Sequence, residues 1–414
     1  MSVESLVGEN GDIVYERRFQ ALIAANLLAP LGITLVSPLL DTLSGPFGVS
    51  TARMGLLISA YTAPPIFLIP VAGILADRVG RKPVLLGGII LFGVGGTAIT
   101  LTTEFWVAVA LRLVQGVAFA GLTTIIITSI GDVYVESREA TAQGLRFTSS
   151  GVYQTIFPPV AGALVVVAWW APFLIYAMAF PVAVLVYLWF EEPLDDPTVT
   201  EGSSGSGGIR SLLALVSRPR VLSLVAGRAL PMLPWVGFLT YNSLIVARGV
   251  GGSPAEAGIL VAVNSTGLAV GGSQAGRITE RFDSRLWPLA LANVALGAGL
   301  VLVAFASTLA VGMVGAAVLG LGFGVSLSLY RSVVTGLAPA HLRGGLVSVS
   351  ESGGRVASTL TPLAMGAVVT ATTPALGPLG AVRLAAVGTG ALAVVGGTLV
   401  LVVARLTRPT AAGG

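Results

Sequence analysis

Apolar runs about twenty residues long, separated by short turns that hold most of the charge, leave this chain little choice but to fold as a set of membrane-crossing helices. A helix of that length spans the ~30 Å hydrocarbon layer, and in lipid it satisfies its own backbone polar groups. The runs fall near 19–40, 53–76, 83–102, 106–130, 145–167 and 171–190, then near 221–246, 255–276, 287–306, 309–331, 345–370 and 379–405. That predicts an all-α polytopic membrane protein with twelve transmembrane helices in two sets of six. With 54% hydrophobic and 10% charged residues and a mean hydropathy of +0.90, the 414-residue chain lies outside the range of soluble domains. It has no cysteine and a single histidine, His341, so neither disulfides nor a histidine-based metal centre is available. No phosphate-binding loop or nucleophile elbow is present. An enzyme, a cofactor and bound ATP are not expected.

Residues 1–18 form a polar tail carrying Glu4, Glu9, Asp12 and Glu16 and ending in Arg17-Arg18. An arginine pair before an apolar run can read as an export signal. This run lacks a small-residue cleavage site and is followed by further spans, so a retained first helix is expected. The predicted domains are bundles at 19–190 and 221–405, a linker at 191–220 and a C-terminal tail at 406–414. Gly202-Ser-Ser-Gly-Ser-Gly-Gly within the linker has the composition of a flexible coil. Lysine and arginine concentrate in the turns on one side of the predicted membrane, whereas the other side carries only Arg53, Arg248 and Arg383. The positive-inside bias therefore places both termini in the cytoplasm, with the cell membrane as the expected location. The pI near 9.7 follows from this topology and does not point to nucleic acid.

The turn Gly73-Ile-Leu-Ala-Asp77-Arg78-Val-Gly80-Arg81-Lys82-Pro83 joins the second and third runs. Gly80 suits the positive φ of a tight reversal, and Pro83 suits the first turn of a helix. Asp77 can cap a helix N-terminus, and Arg81 can reach an acid on a neighbouring helix end. This spacing resembles the signature between helices 2 and 3 of the major facilitator superfamily of secondary transporters. The halves also repeat: Gly276, Glu280, Arg281 and Arg285 echo the first turn, with Asp283 where the turn glycine stood. Pro158 and Gly162 recur as Pro362 and Gly366, and Gly116 and Phe119 as Gly320 and Phe323. The resemblance implies two pseudo-symmetric six-helix halves with a midplane binding site between them. It further implies a cytoplasmic gate in which Asp132 meets Arg81 and Asp77 caps the eleventh helix.

Leu111-Arg112-Leu-Val-Gln115-Gly116 resembles a signature of the proton-coupled drug exporters in this superfamily, which assigns Arg112 a part in proton transfer. An equal reading has Arg112 bind carbonyls of the first helix and brace the half. On helix 5 Pro159 and Gly162 fit the antiporter signature, while Gln154, Pro158 and Ala163 depart from it; a plain packing kink is the competing reading. On the eleventh helix Ser348, Glu351, Ser352, Arg355, Ser358, Thr359 and Pro362 share one stripe. Glu351 and Arg355 are spaced to pair at i and i+4. Glu351 is either the titrating group of proton coupling or half of a permanent ion pair. Asn26 on the first helix, and Arg228, Trp235, Phe238 and Asn242 on the seventh, complete a mixed polar and aromatic surface suited to a small organic substrate.

These expectations converge on proton-coupled export of a small organic compound by a monomer in the bilayer. Three arginines within spans, Arg112, Arg228 and Arg355, against one carboxylate keep an organic-anion carrier or uncoupled facilitator open. A non-transporting receptor of the same fold is the remaining alternative.

Overall fold

The computed structural model describes residues 10–192, 206–282, 284–339 and 342–407. His341, Asp283, Glu4, Glu9 and Gly202–Gly205 lie outside the described residues. The spans are α1 (Arg17–Leu43), α2 (Thr51–Val79), α3 (Arg81–Leu101), α4 (Phe105–Val133), α5 (Glu136–Val167) and α6 (Ala171–Trp189). After α7 (Ser206–Val216) come α8 (Pro219–Val250), α9 (Pro254–Glu280), α10 (Leu286–Ala304) and α11 (Leu309–Thr335). The last helical stretch, Arg343–Leu406, is broken at Gly377 (φ 69°, ψ 167°), a conformation that L side chains rarely adopt. It therefore comprises α12 (residues 343–376) and α13 (residues 378–406). Counted across that break, the described residues hold twelve helices able to cross a membrane.

The chain divides into two compact units. One comprises Met1–Asp195 with Ser253–Ala262, and the other Asp196–Gly252 with Val263–Gly414. In the first unit, small residues let the helices approach. A side chain on Gly116 of α4 would strike the Tyr61 carbonyl of α2, and one on Gly96 of α3 would strike the Tyr176 ring. Tyr61, Phe92 and Tyr176 then meet edge to face, with centroids 6.4 and 5.4 Å apart. Lipid offers no hydrophobic gain for helix association, so such close packing contributes much of the attraction between spans. In the second unit Gly299 and Gly315 play the same part between α10 and α11.

Within the 191–220 linker, whose composition reads as flexible through Gly208, α7 is helical from Ser206 to Val216. Leu212, Leu215 and Val216 lie on one face and join Val221, Val334 and Leu346 in an apolar cluster of the second unit. Burial of that stripe outweighs the propensity of the glycine and serine residues just before it. The mid-helix prolines Pro158 and Pro159 remain within a continuous α5.

Candidate functional site

The first unit joins Asp77, Arg81 and Asp132 of the signature region in one network. Gly80 ends α2 with φ 99°, ψ 156° and starts α3 directly. One turn back, Asp77 accepts a hydrogen bond from Arg81 Nη1 at 2.7 Å, while Arg81 Nε donates to Asp132 Oδ2 on α4 at 3.0 Å. Arg81 thus bridges two carboxylates, of which the Asp77 side chain is 63% exposed. The cap of α3 comes from a residue that the sequence reading missed. Glu192, just beyond α6, accepts from the backbone N–H of Arg81 and, at 2.8 Å, from that of Lys82. A carboxylate at a helix N-terminus meets both unpaired donors and the positive end of the dipole. A Cβ on Gly80 would sit 2.9 Å from Glu192 Oε2, so Gly80 is required for space as well as for φ. Lys82 Nζ lies over the Tyr187 ring at 5.3 Å, and Arg78 is exposed. A Cβ at Gly73 would meet no described atom within 4 Å.

Deeper in this unit Arg112 is completely buried. Its guanidinium donates to the Gly32 carbonyl of α1, to the Leu57 carbonyl of α2 at 3.1 Å, to Gln115 Oε1 at 2.7 Å and to the Tyr176 hydroxyl at 3.3 Å. The Tyr61 ring lies 4.6 Å from its Cζ. Neutral carbonyls and an aromatic face disperse the charge without a carboxylate. Asn26 is likewise enclosed: its amide donates to Ser150 Oγ at 2.7 Å, Ser149 Oγ at 3.2 Å and the Arg146 carbonyl at 3.1 Å. It ties α1 to α5.

The Pro158–Gly162 segment of α5 contacts residues of α9 that belong to the same unit. Side chains on Gly162 and Gly258 would collide with the Pro254 and Pro158 carbonyls respectively. The two backbones touch through reciprocal glycine positions.

A second ionic group, also missed, joins the chain before α1 to the first turn of α5. Arg138 binds Asp12 through Nη1 at 3.1 and 2.8 Å and Glu16 through Nη2 at 2.6 Å. Glu16 also accepts from Arg18 Nε and from the Tyr134 hydroxyl, both at 2.8 Å. The Arg138 hydrogen bonds hold the Asp12 carboxyl below its ordinary range. Partial burial pushes Glu16 up, but the bonds from Arg18 and Tyr134 and the nearby cationic charges outweigh it, for a net lowering. Burial first, and then Glu16, push the Tyr134 hydroxyl up.

In the second unit, Glu351 of α12 pairs with Arg228 of α8, whose Nη2 lies 3.3 Å from both carboxylate oxygens. Spacing along one helix, which suggests Arg355 as the partner, cannot reveal this contact between helices. Arg228 is buried, whereas the Glu351 side chain is 40% exposed. Nε and Nη1 of Arg228 have no hydrogen-bond partner among the described residues. Glu351, Arg355 and Thr359 are all half-buried along one stripe of α12. Nearby in sequence, Trp235 of α8 stacks on Phe323 of α11 with ring centres 4.7 Å apart and planes within 6°. Its indole N–H donates to Asn264 Oδ1 at 3.1 Å, and Asn264 donates onward to the Ala316 carbonyl at 3.1 Å. Phe238 and Asn242 are buried in the same helix. Glu280 and Arg281 are exposed at the end of α9 and form no ion pair with another described residue.

The sequence matches the Major Facilitator Superfamily over residues 22–251 and 227–413. The chain belongs to the Major Facilitator Superfamily. This superfamily member accordingly carries a set of helices long and apolar enough to cross a membrane. It is 29% identical over 156 residues to the bacillibactin exporter of Bacillus subtilis, a match covering 36% of the chain and 39% of that relative. It is 26% identical over 273 residues to the multidrug transporter MdfA of Edwardsiella ictaluri, covering 63% of the chain and 65% of MdfA. The matched regions thus span about two-fifths of the first relative and just under two thirds of the second. The fold is similar to that of a bacterial homologue of the human lysosomal transporter Spinster. That structure aligns with a TM-score of 0.78 at 20% identity, covering 97% of this chain and 99% of the other.

Proposed function

We propose that this transporter exports a small organic compound in exchange for protons by alternating access, with Glu351 as the proton-carrying group. The observation that carries this reading is the Arg228–Glu351 pair: a buried cation holds a partly exposed carboxylate within a span. Ionisable residues at such depth are costly, and they tend to mark ion or substrate pathways. Protonating Glu351 removes the attraction to Arg228, so a proton and the pairing of α8 with α12 become linked. The exporter and multidrug-transporter names of the relatives support export as the direction. The Trp235–Phe323 stack with Asn264 suits a flat, partly apolar substrate. Arg112 has the role of a brace in this reading, because carbonyls and neutral side chains already occupy its donors. The Asp77–Arg81–Asp132 network and the Glu192 cap act as a cytoplasmic latch, with both termini in the cytoplasm, the plasma membrane as location and a monomer as the working unit.

The decisive experiment is substrate-triggered proton movement in proteoliposomes containing an interior pH dye, comparing wild type with Glu351→Gln. Proton movement on adding lipophilic cations, lost in the variant, supports the reading. Solute movement with no proton signal in the wild type rejects it.

A second reading has its own observation. The buried Nε and Nη1 of Arg228, unpartnered among the described residues, would suit an organic anion as cargo. Proton movement with organic anions alone, lost in Arg228→Gln, would favour it.

A further inference from the structure

A cavity of about 870 Å³ opens in the second unit at the ends of α8, α10, α11 and α13. It takes no part in the proposed transport cycle. Arg220, Arg281, Arg285 and Arg405 line it, and the described lining contains no carboxylate. Glu280 and Asp283 belong to the same turn by sequence; Glu280 is exposed and Asp283 lies outside the described residues. Two of the arginines show how the cavity is built. Arg285 Nη1 is fixed by donation to Ser332 Oγ at 2.8 Å. Arg220 Nε is buried and has no partner among the described residues.

Leu286, Ala290, Leu337, Leu401 and Val402 form an apolar part of the remaining wall, beside the hydroxyls of Ser284, Ser332 and Thr398. Its rim continues onto outward-facing apolar side chains: Trp287 is 59% exposed and Val402 46%. Tryptophan at a helix end marks the headgroup level of a bilayer. A positioning role in topology explains four positive charges but not a cavity that joins them to an acyl-compatible wall. Basic pockets between spans, by contrast, hold anionic lipid headgroups.

We propose that this cavity binds one anionic phospholipid, its phosphate held by Arg220 and Arg285 and an acyl chain lying along Leu286 and Val402. Phosphate diesters accept paired donors from guanidinium groups.

The test uses the purified full chain, exchanged into detergent with equal amounts of phosphatidylglycerol and phosphatidylcholine, and native mass spectrometry to read retained lipid by mass. Wild type is expected to hold one phosphatidylglycerol in preference to phosphatidylcholine. Each arginine facing an anionic headgroup contributes a factor of about five, so R220Q/R285Q should lower that preference by about twenty-five-fold. Arg210→Gln, an exposed arginine outside the cavity, should leave it unchanged. Equal retention of both lipids by wild type overturns the proposal without recourse to any variant. So does an unaltered preference in a monodisperse double variant. Displacement of the lipid by millimolar inorganic phosphate would assign the cavity to a free anion and overturn the lipid assignment.

Discussion

Arg228 of α8 holds Glu351 of α12 through a single nitrogen, Nη2, equidistant at 3.3 Å from both carboxylate oxygens. This is a long contact for a charge-assisted bond, whose usual range is about 2.7–2.9 Å. One nitrogen holding two oxygens leaves the carboxylate accessible to a proton or a competing ligand. Glu351→Gln is expected to abolish proton movement while preserving insertion into the membrane. Unchanged coupling in this variant would remove Glu351 from the mechanism. Arg228→Gln should behave differently, lowering thermal stability as well as transport, because the buried cation also packs beside Gly354.

Arg112 has partners on three other helical segments, α1, α2 and α6, besides Gln115 on its own helix. Arg112→Ala orphans two backbone carbonyls and should destabilise the first unit by about 3 kcal/mol, given about 1–3 kcal/mol for buried groups left unsatisfied. Arg112→Lys should recover only part of this, since one ammonium cannot reproduce the planar fork. The measurement is the melting temperature in detergent alongside transport in proteoliposomes. Loss of transport with full retention of the melting temperature would contradict the bracing role.

The Glu192 cap yields a prediction at the signature turn. Glu192→Ala should weaken the start of α3 by about 1 kcal/mol. Gly80→Ala should cost more, because it combines an unfavourable φ of 99° with displacement of the Glu192 carboxylate. Hydrogen exchange over residues 80–90 reads both; equal protection in the two variants and wild type would refute the cap.

The clamp between the N-terminal segment and the first turn of α5 depends on pH in a definite direction. The Asp12 and Glu16 carboxyls sit below their ordinary values of 3.8 and 4.5. Groups lowered on folding contribute stability above those values and lose it as pH falls through the still lower folded ones. The clamp should therefore hold unchanged at neutral pH and release only below about pH 4, outside the physiological range. Arg138→Gln should release it at pH 7. Proteolytic cleavage near residues 10–16 measures both, and resistance in Arg138→Gln at pH 7 would show that the ion pairs are dispensable.

The reciprocal contact of Gly162 and Gly258 leaves no room for side chains. Gly162→Leu or Gly258→Leu should separate α5 from the start of α9 and reduce transport at least about tenfold. A size series, alanine then valine then leucine, should fall in order of volume. A flat response in transport assays would exclude steric contact as the function of these glycines.

Much of this architecture is legible in the sequence because lipid simplifies the problem: an apolar run of about twenty residues has one stable form. Gly80 and Arg81 are legible for a similar reason, since a two-helix reversal with no spare residues admits few residue types. The partners of buried charges are not. Periodicity assigns Glu351 and Arg355 to one face of α12, but it does not say which helix that face meets. Arg228 lies 123 residues away in sequence from Glu351, and Glu192 lies 111 from Arg81. Helix α7 was hidden by its neighbours: the glycine and serine residues through Gly208 mask the short stripe of Leu212, Leu215 and Val216 that packs against the second unit. The N-terminal acids read as a polar tail, although Asp12 and Glu16 are tethered by a single arginine.

Between α12 and α13 the only backbone departure is Gly377, followed at once by Pro378. Proline fixes its own φ and narrows the choices of the residue before it, so this junction has almost no slack. The last two spans are consequently yoked: a tilt imposed on the helix bearing Glu351 is handed to its successor as torque instead of being absorbed by a loop.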